Sequence, residues 1–135
     1  MLRTYRGGCH CQSVRFEAQI DFSEGTTKCN CTFCSKTRLW LVNVRLEAFR
    51  LLTDENALTV YRGKNPFAHH PFCKRCGVHV FDRVEMPNET GFPYFNISVM
   101  CIDDLNVDEA LSAPIVYVNG RQNDWSNPPS ETRHL

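Results

Sequence analysis

The sequence predicts a single, mainly β domain with zinc-binding turns and little helix. Apolar and polar residues alternate over short runs, Gly and Pro punctuate the chain, and seven of the eight cysteines fall into three tight clusters. From Ser13 to Ile20, Val14, Phe16, Ala18 and Ile20 share one face and Arg15, Glu17 and Gln19 the other, the pattern of a half-buried strand. Leu39 to Val44, Phe49 to Leu52 and Leu58 to Tyr61 read as further short strands. Val78 to Phe81 departs from the last cysteine pair, and Phe95 to Ile102 is long enough to cross a sheet. One helical turn is expected at Thr32 to Thr37 and another at Val107 to Leu111. Gly63-Lys64-Asn65-Pro66, Met86-Pro87-Asn88 and Gly91-Phe92-Pro93 carry loop chemistry. The tail from Asn123, with Pro128-Pro129-Ser130, is expected to run as extended surface chain ending in disorder. With no linker and no repeat beyond the cysteine pairs, residues 1–135 form one domain, its ordered core at about 4–125 and its tail at 126–135.

At 135 residues and 15.6 kDa the chain can bury about two thirds of its unfolded surface, so it does not need metal merely to hold a core. Lys plus Arg equals Asp plus Glu at 15 each, without the basic stripe that phosphate binding requires, which argues against nucleic acid. No apolar stretch follows Met1-Leu2-Arg3-Thr4-Tyr5-Arg6, so a signal peptide is not expected, and no segment approaches the ~20 apolar residues that cross a membrane. The expectation is a cytoplasmic protein with reduced, metallated thiols, in which the Asn-x-Ser/Thr triplets at Asn30, Asn88 and Asn96 are chance matches.

The cysteines carry the chemistry. Cys9-His10-Cys11, Cys29-Asn30-Cys31-Thr32-Phe33-Cys34 and Cys73-Lys74-Arg75-Cys76 place sulfurs close enough on a turn to share one ion, whereas disulfide frameworks space cysteines apart. Gly77 lets the backbone turn tightly under the last pair. Seven is four plus three. Cys29, Cys31 and Cys34 are self-sufficient within six residues and would leave one position of a tetrahedral zinc for a ligand. The other two pairs, with 61 residues between Cys11 and Cys73, can share a closed site, making two zinc ions per chain. An alternative has Cys101 or a histidine closing the three-cysteine cluster.

Three thiolates outweigh the charge of a dication, so such a zinc is poor at activating water. It is suited to removing a thiol's proton while leaving the sulfur nucleophilic. Candidates to move that proton are His69, His70, His79 and Asp103, with His70 and Asp103 placed tentatively in the catalytic set. Arg38, Lys36 and Lys64 could grip carboxylates, and Trp40 or Phe67 could wall a pocket, against their ordinary roles as solvated charges and core aromatics. His10 reads as exposed or as a donor to sulfur, and Trp125 as a clasp packing the tail onto the sheet.

Gly7-Gly8-Cys9-His10-Cys11-Gln12-Ser13-Val14-Arg15-Phe16, the three-cysteine run, and Phe72-Cys73-Lys74-Arg75-Cys76-Gly77 together resemble the glutathione-dependent formaldehyde-activating enzyme family, which also contains centromere protein V. His69-His70, Asp103, Phe49-Arg50-Leu51-Leu52 and Leu58-Thr59-Val60-Tyr61 fit as well, so the resemblance covers residues 4 to 125. It implies a β-tent of small antiparallel sheets. It also implies a structural zinc on Cys9, Cys11, Cys73 and Cys76, and a working zinc on Cys29, Cys31 and Cys34. The implied activity is condensation of glutathione with formaldehyde to S-(hydroxymethyl)glutathione, a carbon–sulfur lyase reaction in reverse, with a thiol and a small electrophile as partners. One departure is Thr37-Arg38-Leu39-Trp40, where many relatives carry a small Ser-Gly-Ala-like run; this bulk would reshape a thiol pocket. The rival readings are a non-catalytic zinc-stabilised binding module and a thiol redox sensor.

Overall fold

The computed structural model describes residues 1–85 and 91–135. The expected loop at Met86-Pro87-Asn88, and with it the Asn88 triplet, lies outside the described residues. In chain order the elements are β1 (Arg3–Gly8), β2 (Arg15–Ile20), β3 (Thr26–Cys29), α1 (Thr32–Thr37), β4 (Trp40–Arg45), β5 (Phe49–Leu51), β6 (Leu58–Tyr61), β7 (Ala68–Cys73), β8 (Phe81–Val84), β9 (Tyr94–Ser98), α2 (Val107–Ser112) and β10 (Ile115–Val118). The fold is therefore mainly β, as expected.

Two sheets hold these strands: a three-stranded one in the order β1-β2-β5, and a seven-stranded one in the order β10-β3-β4-β9-β8-β7-β6. The pairing is antiparallel except at one edge, where β10 runs parallel to β3. The larger sheet is thus longer than the small antiparallel sheets expected, and mixed.

The β2 pattern works as the alternation predicts: Val14, Phe16, Ala18 and Ile20 are all buried to within 1% exposure. Burial of each larger side chain contributes roughly 1.5–3 kcal/mol, and a one-residue slip in register would turn all four to solvent. Phe49, at the start of β5, stacks on Phe16 and Phe95 and tilts against Phe81, so one apolar cluster joins the two sheets.

Two expected strands shift. The segment after the last cysteine pair forms β8 only from Phe81; before it, Val78 O accepts from Cys73 N–H and His79 bridges Phe72, so these residues close the metal turn. The long strand at Phe95 to Ile102 ends at Ser98, and Val99–Cys101 turns as a 3-10 helix. That turn crosses β1 over Gly7, where a Cβ would stand 2.1 Å from the Cys101 carbonyl oxygen. Strands β1, β3, β7 and β10 lacked a legible pattern. β1 buries only Tyr5 and two glycines, and β7 contains Pro71, a residue normally confined to sheet margins. No helix among the described residues is long and apolar enough to cross a membrane.

Candidate metal centre

Cys9 and Cys11 stand on the turn between β1 and β2, and Cys73 and Cys76 on the turn that leaves β7. Gly77, at φ +75°, reverses the chain there and donates its N–H to the Cys73 carbonyl. The four Sγ atoms lie within 4.8 Å of one another, with Cys9 to Cys11 at 3.7 Å and Cys11 to Cys73 at 3.6 Å. A tetrahedral zinc with ~2.3 Å bonds spaces its sulfurs about 3.8 Å apart, whereas a disulfide brings them to about 2.05 Å. The donor set and its spacing fit a metal. Backbone N–H groups of Val14 and Cys76 point at Cys9 and Cys73 Sγ, the outer hydrogen bonds that orient thiolate ligands.

The second group is local. Cys29 ends β3, Cys31 caps the N-terminus of α1, and Cys34 lies within that helix, again within 4.8 Å. Cys31 N–H donates to Cys29 Sγ, and Cys34 N–H to Cys31 Sγ, each at 3.3 Å. Cys31 is held well below the usual thiol range by hydrogen bonds from Cys29 and then Cys34, while contact with Cys31 pushes Cys29 up and contacts with Cys29 and then Cys31 push Cys34 up. Three sulfurs in contact can thus share one negative charge among themselves. All three ionise only if a cation replaces the remaining protons.

Surrounding residues lock this loop. Asn30, buried between two of the cysteines, donates to Asn119 Oδ1 at 2.9 Å and accepts from Arg121 N–H at 3.0 Å, while its carbonyl accepts from Ser35 and Arg121 side chains. Gly120 lies against Cys29 Sγ, with Trp125 packed on the same spot. The tail, expected to be free, returns here: Lys28 Nζ donates to the Leu135 carbonyl at 3.0 Å, and Arg38 to the His134 carbonyl at 2.8 Å. His134 and Leu135 therefore cover Cys29 and Cys34, leaving about 10 Å³, room for one water. Arg38 caps α1 at φ +54°, a conformation costing a non-glycine residue about 1 kcal/mol or more.

A third constellation joins β7, the metal turn and β8. His70 Nδ1 and His79 Nε2 each lie 2.6 Å from the same oxygen of buried Asp82. Ligand atoms ~2.1 Å from a metal stand about 3.0–3.4 Å apart, so 2.6 Å marks hydrogen bonds and not a cation cage. Burial opposes ionisation of Asp82, but the bonds from His70 and then His79 outweigh it and hold the carboxyl below the usual range. Phe33, between Cys31 and Cys34, stacks on the His70 ring at 3.7 Å between centroids, joining this trio to the three-cysteine loop.

Of the other candidates, Asp103 pairs with Arg15 and lines a cavity of about 270 Å³ beside Cys9, His10 and Cys101. It is not gathered with the three cysteines or with His70. Cys101 bonds the His79 carbonyl at 3.6 Å and is not among the sulfurs of the three-cysteine group. His69 pairs with Arg83 across β7 and β8. Lys36 and Lys64 are exposed, and Trp40 donates to Thr26 under Lys28. Sequence reasoning missed Asp82 and Asn30; the signal for the first was its position three residues after His79 on a buried strand.

The architecture has a solved counterpart. A crystal structure of a Rhodobacter sphaeroides protein matches with a TM-score of 0.67 at 23% identity, covering 82% of this chain and 99% of that one, which shows a shared fold. The family model described as glutathione-dependent formaldehyde-activating enzyme matches residues 4–116, a span containing all eight cysteines and the His70, His79 and Asp82 trio. The chain belongs to the glutathione-dependent formaldehyde-activating enzyme family.

Proposed function

We propose that this chain adds a thiol, glutathione or a similar small thiol, to a small aldehyde such as formaldehyde at the Cys29, Cys31 and Cys34 group. This is a carbon–sulfur lyase reaction run in the synthetic direction. Cys9, Cys11, Cys73 and Cys76 hold a structural zinc, and the three-cysteine group a second one. The observation that carries the reading is three sulfurs converging with no fourth side chain in their group among the described residues, in a chain whose other four clustered cysteines form a complete set. Zinc bound by the three would favour loss of the substrate thiol's proton while its surplus thiolate charge keeps that sulfur nucleophilic.

The protein's own groups do the rest. Asn30, Gly120 and the α1 N-terminus hold the cysteines in place, and orientation of two small reactants can lower the barrier by several kcal/mol. A carbon–sulfur bond forms, the aldehyde π bond breaks toward oxygen, and that oxygen takes up the proton the sulfur lost. The stacking of His70 on Phe33, a residue of the loop, supports it as the group that carries this proton. Asp103, beside the other cysteine group, is assigned no part in this transfer. The family's substrates support a thiol and a small electrophile, and free cysteines agree with a reducing, cytoplasmic setting.

The test has two readings. Elemental analysis of protein purified without chelator should find two zinc ions per chain. Titration of glutathione and small thiols into cobalt-substituted protein should change the thiolate-to-metal absorption. A filled site that responds to no thiol would defeat the proposal.

A further inference from the structure

His70 and His79 surround a carboxylate that no lysine or arginine among the described residues neutralises, and one nitrogen of each ring points at the same oxygen, Asp82 Oδ1. An ionised carboxylate only accepts, so both rings must donate: His70 carries its proton on Nδ1 and His79 on Nε2. For His70 this reverses the tautomer a free imidazole prefers. Its other nitrogen, Nε2, has no hydrogen-bond partner among the described residues, and the side chain is 12% exposed. Phe33 covers one face of the ring, with Tyr61 stacked 6.1 Å away. The ring is thus held by a carboxylate at one end, clamped by an aromatic that belongs to the cysteine loop, and left at the other end with a lone pair that no described residue takes up.

We propose that Asp82 is a positioning residue that fixes His70 as the Nδ1–H tautomer, making Nε2 the atom that takes the thiol's proton and returns it to the product oxygen. The proton balance is closed: what Nε2 gains from sulfur it gives to the new hydroxyl, and Asp82 steadies the cationic ring in between without itself taking the proton. His79 supplies the second hydrogen bond that lets a buried carboxylate stay ionised without a permanent cation. The reactive role of Nε2 rests on the thiol-addition reading above, whereas the tautomer does not, and the two can be separated.

The experiment is long-range ¹H–¹⁵N correlation of the histidine rings in the zinc-loaded protein, alongside steady-state kinetics of wild type and Asp82→Asn. The expected spectrum assigns the His70 proton to Nδ1 in wild type and to Nε2 in the variant, whose amide can turn its NH₂ toward the ring. The expected kinetics are a fall in kcat of about 10²–10⁴, with KM for the thiol little changed and metal content equal. A wild-type His70 protonated on Nε2 overturns the proposal and needs no variant. So does a switched tautomer with unchanged kcat, or a third metal ion that Asp82→Asn abolishes. If the tautomer is as stated but wild type turns over no thiol with any small aldehyde, the thiol-addition reading fails, and the catalytic part of this proposal with it.

Discussion

The sharpest test of the four-plus-three division compares Cys73→Ser with Cys31→Ser. Cys73 is fully buried at the end of β7, and its sulfur stands 3.6 Å from that of Cys11, 62 positions earlier. A metal shared by these residues ties the β1–β2 turn to the far end of the larger sheet. In loop-closure terms, a crosslink over ~62 positions removes about 4 kcal/mol of unfolded-state entropy, whereas one over the ~5 positions from Cys29 to Cys34 removes about 2 kcal/mol. The difference of about 2 kcal/mol corresponds to roughly 6–10 °C in Tm for a domain of this size. Cys73→Ser also places a hydroxyl in a fully buried spot, so this gap is a lower bound. The assay is thermal unfolding by circular dichroism, with zinc stoichiometry measured on the same samples. Cys31→Ser should keep one zinc and most of its stability; Cys73→Ser should melt much earlier. Equal losses in the two variants would refute the division into a stapling site and a working one.

Other outcomes follow from the loop around the second group. Asn30→Ala takes the acceptor from the Arg121 N–H and the donor from Asn119 Oδ1 and should cost about 1–3 kcal/mol, read by denaturant unfolding, with a drop in metal content from two toward one. Gly120→Ala would place a Cβ 2.5 Å from Cys29 Sγ and 2.8 Å from the Trp125 ring, an overpacking of about 1–3 kcal/mol; competition with a chromophoric chelator should show one weakened zinc and one unchanged. Removing residues 130–135 takes away the cover held by Lys28 and Arg38, so thiols should reach cobalt-substituted protein several-fold faster in stopped flow. An unchanged rate would mean that they enter past Cys31 instead.

What was legible in the sequence was local. Cysteines one or two positions apart converge because the chain between them is too short to do otherwise, so each of the three clusters could be read from spacing alone, whereas the meeting of Cys9 and Cys11 with Cys73 and Cys76 is a matter of tertiary structure. The Val14, Phe16, Ala18 and Ile20 stripe was legible because strand periodicity needs no knowledge of the partner sheet. Tertiary structure decided whatever depends on a distant neighbour. Cys101 ends beside the four-cysteine group because Gly7 lets the turn at Val99–Cys101 cross over β1, a close approach set by packing and not by spacing. β10 completes the larger sheet as a parallel partner of β3, and a parallel pairing carries no hairpin signal. Asp82 reads as one polar residue in a short strand until β7 and the metal turn bring two histidines to the same oxygen. The tail reads as free chain until Lys28 and Arg38 take up its carbonyls, because a bond between residues about a hundred positions apart leaves no periodic trace in the sequence.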